Sequence, residues 1–309
     1  MTKFDVLLST YNGEAYLKEQ LDSILVQSEY LSKIIIRDDG SSDNTIAIIE
    51  EYQSQFPELI NFINDGTGNM GVKDSFFYLS KFTTSDYMAF CDQDDVWLPE
   101  KLATLATFID TNELSDRKNP VLVHSDLTVV DKSLNRICDS FIGYLGVDGS
   151  STNVADLLIR NTVTGCAAVV NRPLMELAIK HKGLFKYHDE CVAVVAALFE
   201  SVYFIDKPLL LYRQHGNNVV GAPKDNFSLQ NRYKTKIYLR FPWCNLKYKV
   251  NELILIKDIS HESAKKIEYI TSVSSMSFIF RIFYLRDILK SLKLSNCQYR
   301  RLKYAFFSK

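Results

Sequence analysis

An apolar run that ends in a cluster of carboxylates constrains this chain more than any other segment. Residues 87–90 read Tyr-Met-Ala-Phe, and Asp92, Asp94 and Asp95 follow directly. We expect a buried strand whose carboxyl end carries the acidic side chains. Carboxylates repel one another, so a fold keeps three together where a cation or a hydrogen-bonding ligand offsets the repulsion. Oxygen ligands suit a hard divalent cation that keeps open positions for phosphate, although a solvated acidic turn explains this segment alone equally well.

Strand and helix patterns alternate along the first part of the chain. Short β-rich runs at residues 4–9, 33–37 and 59–63 each precede a segment with apolar residues at helical spacing. We expect Ser42 or Asp43 to cap the second of these helices, because both side chains can accept a hydrogen bond from the first turn.

Two further helices are expected on either side of the acidic cluster. One spans about residues 73–82, and Pro99 marks the start of the other. Strands that alternate with helices of ten or more residues predict an α/β fold with a doubly wound, mostly parallel sheet.

Three of the predicted strands end in polar tips. The first stops at Thr10, Tyr11 and Asn12, the second at Asp38 and Asp39, and another at the acidic cluster. In open α/β sheets, ligands bind beyond the carboxyl ends of the strands. Any one tip could be an ordinary turn, but three that converge on one edge predict a binding site.

Charge is distributed unevenly along the chain. The formal net charge is -1, yet residues 225–309 hold 17 Lys and Arg against 6 Asp and Glu. We therefore predict a catalytic domain at residues 1–224 and a basic, mostly helical extension at 225–309 that meets an anionic partner. The extension could lie on an anionic membrane surface, which we favour, or pack on the catalytic domain. No nucleic-acid partner is expected, because no recognition motif accompanies the basic residues.

The cysteines and the amino terminus indicate the compartment. The six cysteines are scattered without a Cys-x-x-Cys pair, which fits reduced thiols. The amino terminus runs directly into a strand pattern rather than a signal peptide, and no uncharged apolar run reaches the ~18 residues of a membrane span. We expect a cytoplasmic protein that is peripheral at the inner face of the cell membrane.

The ordered set of motifs resembles the family-2 inverting glycosyltransferases, whose nucleotide-sugar-binding fold is called GT-A. The matching segments are Thr10–Asn12, Asp38–Asp43, Asp92–Asp94 as the DxD motif, Asn161–Cys166, His188–Asp189 and Tyr212–Val219. The last three are typical of a bacterial branch that includes many rhamnosyltransferases and other surface-polysaccharide enzymes. The resemblance covers roughly residues 3–221.

The resemblance implies a reaction. A single sugar, rhamnose or a hexose, would pass with inversion from a UDP- or dTDP-linked donor to a hydroxyl of a lipid-linked glycan, as in O-antigen or capsule biosynthesis. Processive relatives carry Gln-x-x-Arg-Trp and membrane spans, whereas residues 230–233 read Gln-Asn-Arg-Tyr. Glu190 and Cys191 stand where the branch has bulky aromatics, which leaves open a non-catalytic nucleotide- or glycan-binding relative. A nucleotidyltransferase is less favoured, because the first tip is not a Gly-rich phosphate loop.

The resemblance also implies roles at the donor site. Tyr11 offers a flat ring for stacking on a pyrimidine, and Asp39 can accept a hydrogen bond from the base imide. Asp94 would bind the metal, Mn²⁺ or Mg²⁺, with Asp92 as a ribose or outer-sphere partner. The predicted nucleotide-sugar contacts are Thr10, Tyr11, Asn12, Asp38, Asp39, Lys73, Asp92 and Arg213.

Four of the predicted residues have an ordinary alternative. His215 is predicted to join Asp94 at the metal or the diphosphate, although a lone histidine can be structural. Lys73 could touch phosphate or lie in solvent, and Arg213 could pair with phosphate or with a surface carboxylate. Asp126 could bind the donor sugar or the acceptor, or stabilise a turn.

Asp189 is the predicted general base. Inversion requires the acceptor hydroxyl to attack from the face opposite the leaving diphosphate, with a carboxylate within reach of its proton. Asp189 also begins an apolar helix, where a carboxylate is favourable without any catalytic role. Glu190 is the alternative base because it is adjacent.

Overall fold

Four parallel strands form the first half of a central sheet. The structure is a computed structural model that describes residues 1–115, 118–150, 152–215 and 243–275. The elements of this half are β1 (Phe4–Thr10), α1 (Leu17–Leu25), β2 (Leu31–Asp38), α2 (Thr45–Gln55), β3 (Ile60–Phe62), α3 (Val72–Leu79) and β4 (Tyr87–Asp92). The strand order is β3-β2-β1-β4, and each neighbouring pair is parallel. The predicted α/β alternation is confirmed here.

The second half of the sheet mixes strand directions. Its elements are β5 (Val96–Trp97), α4 (Lys101–Thr111), β6 (Leu122–Asp131), β7 (Arg136–Cys138), α5 (Phe141–Leu145), α6 (Val154–Ile159), β8 (Ala168–Asn171), α7 (Arg172–His181), α8 (His188–Ala197) and β9 (Val202–Gln214). The order continues from β4 through β8, β6 and β9 to β5, with β7 beside β6. Strand β8 runs antiparallel to β4 and β6, whereas β9 is parallel to β6.

The direction of β8 matters for the site. Because Ala89 pairs with Val169 in an antiparallel register, β8 begins at the edge where β4 ends. Helix α7 then returns the chain, so α8 starts near the acidic loop with its amino-terminal turn.

Both faces of the sheet are covered. On β1, Leu7 joins one apolar cluster with Phe76 and Val194, while the flanking Val6 and Leu8 join a second cluster on the opposite face. All these side chains are buried, as expected for a strand between two layers of helices. This burial fixes the register and therefore the positions of the strand tips.

The helix ends differ in detail from the sequence-based expectations. Asn44, rather than Ser42 or Asp43, is the capping residue of α2, and it makes no side-chain capping bond. Asp43 instead accepts hydrogen bonds from the backbone N–H groups of Glu14 and Thr45. Helix α4 begins two residues after Pro99, and α3 ends at Leu79 before a short 3₁₀ turn.

Part of the basic extension packs on the body. Helices α9 (Trp243–Leu253) and α10 (His261–Ser275) contribute Val250 and Ile267 to the cluster that contains Val194 of α8. The Ser263 hydroxyl donates to the Ala197 carbonyl at 3.0 Å. The boundary at residue 224 stays a prediction. In the part of the chain that the structure describes, no helix combines the length and apolar character that crossing a bilayer requires.

Candidate active site

Asp94 and His215 meet at the carboxyl edge of the sheet. Asp94 lies in the loop between β4 and β5, and His215 follows β9, which pairs with β5 and so returns to this loop. The His215 Nε2 and Asp94 Oδ2 atoms are 2.7 Å apart, and both side chains are largely buried. The structure therefore brings together the two residues predicted to hold the metal.

The geometry of this pair suits a divalent cation. Two ligand atoms at right angles, each about 2.1 Å from a small metal ion, lie about 3 Å apart, close to the 2.7 Å between these atoms. A carboxylate oxygen and an imidazole nitrogen form a donor set that Mn²⁺ accepts readily and that Mg²⁺ accepts less well.

A second group of possible ligand atoms involves the same loop. Atoms of Asp92, Asp95 and Cys166 lie within 4.8 Å of one another. Burial raises the pKa of the Cys166 thiol well above its usual value, so the sulfur is protonated at neutral pH. A hard cation prefers oxygen ligands, and the Asp94–His215 pair is the better candidate.

Arg213 holds the acidic loop in place through hydrogen bonds to Asp94 and Asp95. Its side chain is 3% exposed and donates to the Asp94 carbonyl at 2.8 Å, to the Lys132 carbonyl at 2.7 Å and to the Glu19 carboxylate. Its backbone N–H donates to Asp95 Oδ1 at 3.1 Å. These contacts favour a role in holding the loop over the predicted contact with the donor.

The first strand tip is tied to the acidic loop by a side-chain amide. Gln93 accepts from the Tyr11 backbone N–H at 2.7 Å and donates to the Tyr11 carbonyl at 2.9 Å. The Tyr11 side chain is exposed, as stacking on a base requires. A Cβ at Gly13 would lie 2.4 Å from the Gln93 oxygen, so a larger residue there would displace the Gln93 amide from its bonds to Tyr11.

Loop contacts hold the first and second strand tips together. Asp38 accepts from the Gly40 and Ser41 N–H groups and from the hydroxyls of Thr10 and Ser41. These four bonds use the acceptor capacity of the carboxylate. The predicted donor contacts of Asp38 and Thr10 are therefore indirect in this geometry, through the shape of the loop. Asn12 has a φ of 49°. Its side-chain oxygen accepts from the Ser42 backbone N–H at 2.8 Å, and its own backbone N–H donates to the Ser41 hydroxyl.

The Asp39 carboxylate can accept one more hydrogen bond besides the three described here. Its Oδ1 accepts from Arg37 at 2.5 Å and from the Met70 N–H at 2.7 Å, and its Oδ2 accepts from the Gly71 N–H at 2.8 Å. One lone pair of Oδ2 is left for a base imide. The buried Arg37 also binds Asp65, whose pKa its hydrogen bonds lower. Arg37 could not be predicted as part of the site, because an arginine inside an apolar strand gives no indication of its partners.

Lys73 and Asp126 make contacts that serve the fold. The Lys73 ammonium donates to the carbonyls of Lys182 and Phe185, in the turn before α8. Asp126 is buried, and its Oδ1 accepts from the N–H groups of Phe141 and Ile142 in the first turn of α5. These contacts favour the structural alternatives for both residues.

Asp189 faces the acidic loop from the first turn of α8. Burial raises the pKa of Asp189 to about 7. Burial, together with the charges of Asp94 and Asp189, raises the pKa of Asp92 to about 7 as well. A carboxyl group with a pKa near neutrality is matched to general-base work. The alternative base, Glu190, is instead ion-paired with Lys249 of α9 at 2.5 Å.

His188 explains the glycine in the 161–166 motif. Its buried ring packs on Phe76 and Phe90, with ring centroids 4.2 and 4.8 Å apart. Burial lowers the pKa of His188 to about 3, so it is neutral. A Cβ at Gly165 would lie 2.5 Å from the His188 ring nitrogen. Glycine therefore lets the backbone pass close to the buried His188 ring, next to Asp189.

Comparison with known proteins agrees with this geometry. Residues 5–144 match the glycosyl transferase family 2 domain. A dTDP-rhamnosyl transferase, RfbG of Shigella flexneri, is 30% identical over 250 residues, which cover 76% of this chain and 80% of the relative. The chain therefore belongs to glycosyl transferase family 2, and it is a glycosyltransferase.

Solved structures confirm the fold class. S. aureus TarS in complex with UDP-GlcNAc is 16% identical with a TM-score of 0.55, over 98% of this chain and 79% of TarS. The mannosyltransferase PcManGT of Pyrobaculum calidifontis, in complex with GDP-Man and Mn²⁺, is 14% identical with a TM-score of 0.50, over 98% and 84%. At these identities the likeness shows the GT-A fold alone.

Proposed function

We propose that this glycosyltransferase transfers a single sugar, rhamnose or a hexose, with inversion from a UDP- or dTDP-sugar to a hydroxyl of a lipid-linked glycan in bacterial surface-polysaccharide biosynthesis. The observation that carries the proposal is the contact between Asp94 and His215, which meets the strand tips at one edge of the sheet. Asp189, whose charge acts on Asp92, supplies a carboxylate at the same edge.

The donor base lies on the first two strand tips in this proposal. The exposed Tyr11 ring stacks on the base, and the open lone pair of Asp39 accepts its imide N–H. Uracil and thymine share that imide, which is why both nucleotides remain candidates. Two relatives support this choice: RfbG is named as acting with dTDP-rhamnose, and TarS was solved with UDP-GlcNAc.

Asp94 and His215 hold the metal in this proposal, and Arg213 keeps their loop in place. Bound there, Mn²⁺ or Mg²⁺ stabilises the charge of the departing nucleoside diphosphate. The imidazole ligand favours Mn²⁺. The exposed part of Asp92 is left to accept a hydrogen bond from the ribose.

Asp189 takes the proton of the acceptor hydroxyl. As the hydroxyl oxygen bonds to the anomeric carbon, the bond to the diphosphate breaks, and the proton passes to the carboxylate. One displacement of this kind inverts the anomeric centre. Glu190 is withheld from this role by Lys249.

A lipid-linked acceptor requires that the enzyme work at the cytoplasmic face of a membrane. The basic extension supports this part of the proposal through its charge. Because α9 and α10 pack on the body, membrane contact is assigned to the extension outside residues 243–275.

The test is a panel of nucleotide sugars, each assayed for hydrolysis and for transfer to lipid-linked acceptors, with Mn²⁺, with Mg²⁺ and with chelator. We expect metal-dependent turnover of a UDP- or dTDP-sugar and a product of inverted configuration. Turnover confined to a purine-linked donor would overturn the base assignment. A product of retained configuration would overturn the single displacement.

A further inference from the structure

A buried lysine lies behind the acidic loop. Lys101, in the first turn of α4, is 1% exposed, and its ammonium donates to the Cys166 carbonyl at 2.6 Å. The same ammonium lies 3.7 Å from the centre of the Trp97 ring. A carbonyl and an aromatic face stabilise a cation without neutralising it, and a buried charge is costly unless it is paired.

Two carboxylates of the acidic loop lie near the same cysteine that Lys101 contacts. Asp92, Asp95 and the Cys166 sulfur are grouped within 4.8 Å, and Lys101 is bonded to the backbone of that same Cys166. Asp95 is completely buried. Burial lowers the pKa of Lys101 to about 8, and the neighbouring acidic groups act in the opposite direction, Cys166 and Cys91 first and then Asp95 and Asp92. The ammonium is therefore mostly charged at neutral pH.

We propose that Lys101 is an internal counter-ion that holds the acidic loop in its metal-binding arrangement before the metal–diphosphate arrives. It is a positioning residue, because it lies beneath the loop and is bonded to a protein carbonyl. The inference rests on the proposed metal site.

A fixed cation at this place has two effects of opposite sign. It offsets the mutual repulsion of Asp92, Asp94 and Asp95, so it stabilises the metal-free protein. It also repels an entering divalent ion, so it weakens metal binding and favours release of the metal with the nucleoside diphosphate. A lysine that served only to fill space would stabilise the metal-free protein but would not weaken metal binding.

The two effects can be separated with Lys101→Met, which keeps the length of the side chain and removes its charge. Thermal unfolding and Mn²⁺ titration are measured at pH 7, where the ammonium is mostly charged, in the full chain without nucleotide. We expect Lys101→Met to unfold at a lower temperature without metal. Its Mn²⁺ affinity should rise about tenfold, because removing a unit charge a short distance away matters strongly at an effective dielectric constant of about 20.

The matched control is Leu105→Ala on the same helix, where a buried apolar side chain is shortened and no charge changes. Leu105→Ala should lower the unfolding temperature, and its Mn²⁺ affinity should equal that of the wild type. The same Mn²⁺ affinity in Lys101→Met and in wild type would overturn the counter-ion role. If wild type bound no Mn²⁺ at all, the proposed metal site itself would fail.

A second variant covers the case in which Lys101→Met does not fold. The double substitution Lys101→Met/Asp95→Asn removes one charge of each sign. We expect it to fold and to unfold at a higher temperature than the single variant. A double variant that is no more stable, or no more soluble, than Lys101→Met would overturn the inference.

Discussion

The proposed acid–base chemistry involves two carboxyl groups whose pKa values are shifted in the same direction. The pKa values of Asp189 and Asp92 are both raised to about 7, mainly by burial, and the charge of Asp189 contributes to the shift of Asp92. A metal on the neighbouring Asp94 would favour ionisation of both, which couples donor binding to activation of the base.

Asp189→Asn tests the base directly. The amide keeps the shape of the side chain but cannot accept a proton, so turnover should fall roughly 10²–10⁴-fold. Wild-type turnover should rise as the pH increases through about 7, because the carboxyl group must lose its proton to act. In the variant this rise should disappear from the residual rate, while calorimetric titration with UDP and dTDP still shows binding.

Glu190→Gln is the control for the base assignment. It removes the neighbouring carboxylate and its ion pair with Lys249, and it should retain most of the activity. If Glu190→Gln were inactive while Asp189→Asn remained active, the general base would be Glu190 and not Asp189.

Asp94→Ala tests the metal. Loss of a group that stabilises the leaving diphosphate typically costs on the order of 100-fold or more in rate. The variant should remain folded, since the Asp94 contact to Arg213 is made by a backbone carbonyl. Excess EDTA should reduce wild type to a similar rate, and full activity in EDTA would contradict the assignment.

Sequence motifs pointed to candidate ligand contacts more readily than to the residues that support them. Tyr11, Asp94 and Asp189 were singled out because their residue types and motifs match a known chemistry, and their roles stay predictions. Arg37 and Lys101 could not be predicted, since a charged side chain inside an apolar element takes its partners from distant segments. Arg213 was predicted as a phosphate contact, and its donors are used by the fold instead.

Among the secondary-structure elements, the tips of β1 and β4 act as one unit. Gln93 makes two hydrogen bonds to the backbone of Tyr11, so the ring proposed to stack on the base and the loop proposed to bind the metal share one support. The nucleotide and the metal should therefore depend on each other through the protein as well as through the phosphates.

Gln93→Ala tests this coupling. Each lost hydrogen bond contributes about 0.5–1.5 kcal/mol, so binding of UDP or dTDP should weaken about tenfold. The Mn²⁺ affinity of the nucleotide-free protein should change little, because Asp94 and His215 are untouched. Gln55→Ala makes the same chemical change at an exposed position at the end of α2 and should bind nucleotide as wild type does. If both variants bound nucleotide equally well, the proposed coupling between Tyr11 and the metal loop through Gln93 would be wrong.

The sheet was predictable in its first half and less so in its second. Strands β1, β2 and β4 carry long apolar runs that are buried on both faces, and these runs are visible in sequence. Strand β8 is only four residues long, and its direction is decided by pairing with β4 and β6. Such pairing is a property of the tertiary fold, so sequence periodicity does not reveal it.

At the scale of the whole molecule, the basic extension has two parts with different surroundings. Helix α9 reaches the active-site helix through the Lys249–Glu190 ion pair, and α9 and α10 share an apolar cluster with α8. For these helices the contacts agree with the packed alternative. The residues proposed to meet a membrane lie outside the described part of the chain: Arg281, Arg286, Lys290 and Lys293.

The final prediction concerns this membrane contact. Basic residues near an anionic leaflet contribute about 1 kcal/mol each, so a few of them would hold the enzyme reversibly. The full-length protein should co-sediment with anionic but not with neutral vesicles, and raised salt should release it. Replacing the four residues by Gln should weaken vesicle binding and leave nucleotide binding intact. As a control, Lys257→Gln with Lys265→Gln, on exposed positions of the packed part, should have a smaller effect. Equal binding to neutral vesicles, or none to either kind, would instead make the whole extension a structural part of the enzyme.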